Sequence, residues 1–379
     1  MNPAERIVAA CQHRPYDRVP TYHASFSSRI ASIILGREAY VGGGVQQWRE
    51  AVALWNGPEA HAEFLERSLR DAVDLGTILD LDMVRVAYWR EPEKPAKRID
   101  EFTFFYGDPD GKWRVMRYDP RTELYQMVDH SPHYNDDLDL LDKEVECMEL
   151  AVQEYGPTPE SFPEISRALT AYRGFRAVPL WGVSIGIPYG SRAWMEAVVL
   201  RPDLVERLLD VQVERARKTI QAAAPLGVRV VLGGMDLANN QGPMYSPDVF
   251  RKLVLPRLKQ IVEFCHQFEM YYFFASDGNL WPIADDVFPV VDGYYEIDRR
   301  AGMDLRKLRE RFPHLTLVGN ISSHTLHLGT REEVIEETLS CINAARELGS
   351  IVVGCSNLIV SETPEENLFA MLDTLETYR

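Results

Sequence analysis

The sequence predicts an α/β protein built as a (β/α)8 TIM barrel, with an N-terminal helical extension and a β-hairpin inserted near residues 101–128. Three observations predict it. Short β-branched or aromatic runs alternate with amphipathic helices through the second half, the pattern of parallel βαβ units. The number of such units in 379 residues suits one closed barrel. No GxGxxG opens a helix after the first strand and no Walker A motif occurs, which disfavours a nucleotide-binding doubly wound sheet. With no linker, repeat or low-complexity tract, residues 1–379 read as a single domain.

PAERIVAACQH reads as a helix, DRVPTYHASF as the first strand, HAEFLERSLRDAVDLGTI as a helix and ILDLDMVRVAY (78–88) as the second strand. EFTFFYGDPDGKWRVMRYD gives two alternating segments around DPDG, the mark of a hairpin on the barrel rim. PLWGVSI (179–185), VRVVLGG (228–234), MYYFFA, DGYYEID (292–298), LTLVGNIS and SIVVGCS (350–356) read as strands. Between them, helices are announced by local chemistry. Ser246 and Pro247 supply an N-cap and a first-turn proline, Thr330 opens the helix to 349, and Thr363-Pro364 with Glu366 spells a capping box for the last one.

A formal net charge of −16 argues against a nucleic-acid partner, since phosphate contacts need a basic surface. Apolar runs fall short of the roughly 20 residues a membrane span needs. The N-terminus carries charges and lacks the apolar core of a signal peptide. Five widely spaced cysteines without a CxxC fit a reducing cytoplasm.

Function is sought at strand ends, because barrel enzymes place their chemistry at the C-terminal mouth. The fourth strand leads into Asp236, Asn239, Asn240 and Gln241, and the fifth into Ser276-Asp277-Gly278-Asn279. The sixth gives Glu296 and Asp298, the seventh Asn320, Ser322 and His324, the eighth Cys355, Ser356 and Asn357. Carboxylates with a histidine and a cysteine suit a divalent metal, zinc in a mixed O/N/S site above all, with Asp277, Glu296, His324 and Cys355 as ligands. Each residue also has a plainer use: Asp and Asn cap the helix after a βα turn, and a cysteine after an apolar strand packs as a small buried side chain. His23 ends the first strand, either lining the pocket or serving structure. Trp181, Tyr189, Tyr22, Phe26, Tyr294 and Tyr295 lie near strand ends, where they suit an aromatic or quaternary-ammonium substrate or simply pack the rim. His23, Trp181, Tyr189, Asp236, Asn240, Asn279, Asn320 and Asn357 are the substrate-binding candidates.

PAERIVAACQHRPYDRVP, GMDLANNQGPMYSPDVFRKLVLPRLKQIV, FFASDGNLWPI, EIDRRAGMDLRKLRERFPHLTLVGNIS, LGTREEV and TPEENLFAML, in this order and spacing, resemble the uroporphyrinogen decarboxylase superfamily across nearly the whole chain. The resemblance implies the same barrel. It also implies one of two chemistries, since the superfamily contains decarboxylases and cobalamin-dependent methyltransferases. The arginine-rich segment with which true decarboxylases grip their substrate reads HASFSSR here, leaving Arg29 as the one matching arginine. An acidic residue expected near the end of the second strand is supplied by Asp80 or Asp82. The HxCGN motif and later cysteine of thiolate-zinc methyltransferases are replaced by Ala275, Asp277 and Asn357.

The resemblance therefore points to a corrinoid-dependent methyltransferase or demethylase, similar to members that use carboxylate and histidine ligands. It would move a methyl group from a small methylated compound to a corrinoid protein, with zinc assistance. Asp277, Glu296, Arg29 and Asp82 are its candidate catalytic residues. A decarboxylase of a tetrapyrrole or smaller acid, and a non-catalytic ligand- or corrinoid-binding member, are the alternative expectations. A homodimer is implied by the resemblance alone.

Overall fold

A computed structural model describes residues 1–86, 90–131 and 137–379. Its backbone hydrogen bonds close a ring of eight parallel strands. Six lie in one sheet: Leu180–Val183, Val230–Gly234, Tyr271–Ala275, Gly293–Tyr295, Thr316–Val318 and Ile351–Val352. The first strand completes one side, where Tyr22 N donates to Val353 O at 3.0 Å and Val353 N to Pro20 O at 2.8 Å. On its other side Asp82 N donates to Thr21 O at 3.0 Å. Residues around Met83 then bridge to Ala177, just before the third strand, through Ala177 N to Asp82 O at 3.0 Å and Val84 N to Ala177 O at 2.9 Å.

Alternation along each strand divides the core in two. Tyr22, Ala24, Met83, Val230, Leu232, Phe273, Ala275, Tyr295, Val318 and Val352 form the barrel interior. Val231, Tyr272, Phe274, Tyr294, Leu317 and Ile351 point outward into a larger core under the surrounding helices. Helix Pro3–Cys11, opened by a capping box from Asn2, plugs the N-terminal end with Ile7 and Ala10.

Three expectations are corrected. Helix Pro58–Ile78 takes the start of the expected second strand, which shrinks to the bridge at Met83, and residues 87–88 of that segment lie outside the described residues. The insertion is larger than a hairpin: Lys97–Arg98, Thr103–Gly107, Trp113–Asp119 and Leu124–His130 form a four-stranded antiparallel sheet. The last helix starts at Glu365 without the capping box. Pro364 is extended (φ −59°, ψ 137°), so Thr363 sits one residue too early and its buried hydroxyl has no partner.

Candidate functional site

Register places three carboxylates together. Ala275 pairs with Gly234 on one side and Tyr295 on the other, so the fourth, fifth and sixth strands end level. Asp236 and Asp277 each follow two residues after an inward position, and alternation turns both into the mouth. Glu296 follows the inward Tyr295 directly and by alternation would point outward. Its left-handed backbone (φ +64°) breaks the alternation, an uncommon conformation for a glutamate. Ligand oxygens of Asp236, Asp277 and Glu296 come to lie within 4.8 Å of one another.

The loops that carry them lock together. Ser276 Oγ accepts from Leu237 N at 2.9 Å, and Tyr294 Oη donates to Ser276 O at 3.1 Å. Gly278 is required where these loops cross. Its φ is +84°, and a Cβ there would stand 2.5 Å from Ala238 O. Asn357, arriving after the eighth strand, donates from Nδ2 to Asp277 Oδ2 at 2.6 Å and accepts from Leu358 N at 2.6 Å.

Electrostatics follow from this crowding. Burial, then the charges of Asp236 and Asp298, push the Asp277 carboxyl up to about 7 against the opposing hydrogen bond from Asn357. Burial, then Asp277 and Asp236, push Glu296 up to about 8, and the guanidinium of Arg85 works the other way. Like charges this close cannot all ionise without a counter-charge. Partial burial and Asp236 likewise raise the phenol of Tyr189, which is 40% exposed at the rim.

Arg85 escaped the sequence reading. It shares the inward phase of Met83 along MVRV, the signal that could have found it. Its guanidinium lies over the Trp181 ring, 3.9 Å from the centroid, and Trp181 meets Tyr295 edge-on at 5.9 Å. This buried cation and its aromatic neighbours form the floor beneath the acids. An open depression of about 440 Å³ leads in, bordered by Asn240, Gln241, Asp277, Gly278 and Asp298.

Other expected site residues fall elsewhere. His324 is exposed on helix Ser323–Leu328, in a separate groove with Arg299 and Glu333, and does not join the acidic cluster. Cys355 is 3% exposed with its thiol pushed up to about 12 by burial, and it is no part of the cluster either. His23 faces outward from the first strand beside Phe26, and its Nδ1 accepts from Cys355 N at 3.1 Å. Asp82 is fully buried near the N-terminal end between Arg6 (2.9 Å) and Arg379 (3.2 Å). Arg29 is committed to Ser361 O at 2.8 Å and Glu365 at 3.1 Å, tying its helix to the last one. Asn320 is buried among Arg299, Met303 and Cys341, and Asn279 caps its own turn by accepting from Trp281 N. The common cause is that neighbouring residues on a strand or loop face opposite sides, so proximity to a strand end does not deliver a side chain to the mouth.

Residues 188–378, just over half of the chain, match the model of the family described as uroporphyrinogen decarboxylase (URO-D). Among solved structures, a methyltransferase from Methanosarcina mazei is similar at 20% identity with a TM-score of 0.62, over 100% of this chain and 99% of that one. At that identity the likeness shows the fold. A D-tagatose 3-epimerase-like protein (12% identity, 58% of this chain and 83% of that one, TM-score 0.35) and a sugar phosphate isomerase/epimerase from Parabacteroides distasonis (9%, 58% and 74%, 0.34) are too distant to carry an argument. No curated protein matches the chain. Among the described residues, no helix is long and apolar enough to cross a membrane.

Proposed function

The chain belongs to the uroporphyrinogen decarboxylase family, and on that premise we propose that it is a methyltransferase that takes a methyl group from a small neutral or cationic methylated compound and delivers it to a corrinoid protein docked at the barrel mouth. The convergence of Asp236, Asp277 and Glu296 at that mouth carries the reading. An acidic cleft repels a polycarboxylate and attracts a cation or a polarisable neutral group. The matching arginine of the decarboxylases, Arg29, is already paired with Glu365, which weighs against porphyrinogen decarboxylation.

The acidic cluster fits a divalent cation, zinc or a harder ion. Its donors are oxygens alone, and its raised carboxyls mark a site short of positive charge. It does not fit the mixed O/N/S set, because His324 and Cys355 are not among the converging groups. When bound, such a cation supplies Lewis acidity toward the heteroatom that bears the methyl group. Asn357 fixes the carboxylate plane of Asp277. Arg85 offsets part of the acidic repulsion from below, and Trp181 and Tyr295 give the substrate an apolar floor.

The test is a methyl-transfer assay with reduced corrinoid as acceptor and methylated amines and methoxyarenes as donors, followed by the absorbance of methylcobalamin. Turnover with one donor class, lost in Asp277→Ala, is the expected result. Absence of methyl transfer from every donor, together with decarboxylation of a tetrapyrrole or small acid, would overturn the reading.

A further inference from the structure

On the far side of the first strand from the barrel interior lies a second, more enclosed cavity of about 190 Å³. It sits between the end of helix Pro58–Ile78 and the last turns of helix Glu365–Tyr378, and its polar walls are Arg18, Thr21, His23, Asp80 and Arg379. We propose that this cavity binds a small oxyanion, a phosphate or a carboxylate, through donors from His23, Arg18 and Arg379.

Donors at this cavity lack acceptors. His23 is 3% exposed, and its Nδ1 accepts from Cys355 N at 3.1 Å. That bond fixes the tautomer, so the proton resides on Nε2, on the opposite edge of the ring, where no partner meets it. The Nε of Arg18 is buried and also lacks a partner. A buried donor left unmade costs about 1–3 kcal/mol, and an acceptor-bearing occupant removes that cost for Arg18 while giving the His23 Nε2–H a partner.

Charge selects the class of occupant. Asp80 is shared by three guanidinium groups, Arg18 at 2.6 Å, Arg176 at 2.9 Å and Arg379 at 2.7 Å. Thr21 accepts from Arg379 at 2.6 Å, and Asp82 binds Arg379 and Arg6. Glu376, the other acid at the cavity, is exposed and remains in water. The inner wall therefore offers N–H groups in excess of carboxylate oxygens. The volume holds roughly six waters at about 30 Å³ each, enough for one tetrahedral or planar oxyanion with part of its hydration.

Occupancy would brace the first strand against the last helix. Through the His23–Cys355 bond it would also reach the loop that carries Asn357 to Asp277.

The test is calorimetric titration of the intact protein with inorganic phosphate and, separately, with acetate, at constant ionic strength set with chloride. Saturable 1:1 binding of one of them is expected, weakened at least tenfold in Arg18→Gln. Arg121→Gln, a change at an 89% exposed arginine elsewhere, should leave the affinity unaltered. Phosphate binding alone would identify a phosphate site, and acetate binding alone a carboxylate site. Heat signals absent for both anions, or equal affinity in wild type and Arg18→Gln, would overturn the proposal and leave the cavity to water. Arg18 is one-third exposed, so its replacement is compatible with folding, and a melting curve of each variant checks that.

Discussion

Asn357 and Asp277 meet across 2.6 Å, although 80 residues separate them in sequence. The bond joins the loop after the eighth strand to the loop after the fifth, so it exists only because the ring closes. It also favours the ionised form of Asp277, against burial and the charges of Asp236 and Asp298.

Removing that bond should therefore be felt as loss of function more than loss of fold. Hydrogen bonds to charged groups contribute about 1.5–3 kcal/mol. Asn357→Ala is expected to lower kcat/KM by roughly 10- to 100-fold, with a melting temperature close to wild type. Asn357→Asp should be worse, since it adds a fourth acid. Steady-state kinetics beside a melting curve separates the two effects, and wild-type kinetics in Asn357→Ala would refute the role.

Cation binding should follow the acidic cluster and ignore the two discarded ligands. Titration with Zn²⁺ or Mn²⁺ is expected to show one site, at least tenfold weaker in Asp277→Ala and Glu296→Gln. His324→Ala should bind as wild type does, and so should Cys355→Ser. Protons compete for the same oxygens, so affinity should fall as pH drops through the region of about 8 to 7. Retained affinity in both acid variants would place the cation elsewhere.

The raised carboxyls also set the pH dependence of stability in the metal-free protein. Both groups titrate higher in the folded chain than their ordinary values of 3.8 and 4.5. Their contribution is fully present below about pH 4 and is lost as pH rises through about 7 to 8. Glu296→Gln abolishes one of these ionisations. It should melt higher than wild type at pH 9 and show little difference at pH 5, in chelator. Identical pH profiles would mean that the cluster is not electrostatically strained.

Asp82 and Arg29 should behave oppositely. Asp82→Ala leaves Arg6 and Arg379 buried against a missing charge, and breaking such a pair costs about 3–5 kcal/mol. Arg29→Ala removes a half-exposed pair worth at most about 1 kcal/mol. Denaturant unfolding should show the large loss for Asp82 alone. A rise in KM for an acidic substrate in Arg29→Ala would restore the anchoring role that its bonds to Ser361 and Glu365 argue against.

Gly278→Ala should destabilise the mouth. The left-handed backbone and the 2.5 Å approach to Ala238 O give an alanine no unstrained position. A loss of more than about 1 kcal/mol is expected, with activity falling further than stability because Asp277 adjoins it. Hydrogen exchange of the Asn279 amide, which donates to Asn239 O at 2.8 Å, would report the loosening.

Local chemistry made the barrel and much of its mouth legible. Strand runs such as YYFF, and helix starts such as Ser246-Pro247 and Thr330, are specified by neighbouring residues, and they formed where they were expected. Asp236, Asp277 and Glu296 could be named because a βα turn places the next polar residue near the substrate face. Arg85 was missed because its segment reads as an interior strand, and a buried arginine there is explained only by Trp181 and the acids above it.

By itself, the sequence determined the order of strands and helices, the acidic balance and the short set of polar residues at strand ends. Those follow from periodicity and turn chemistry within a few residues. Only the tertiary structure decided which of them meet. Closing the ring brought Asn357 to Asp277, the left-handed backbone at Glu296 turned its carboxylate inward, and strand alternation sent His23 to the outer layer. Convergence of side chains depends on register between distant strands and on the sign of one φ angle, and neither is written in any local stretch of residues.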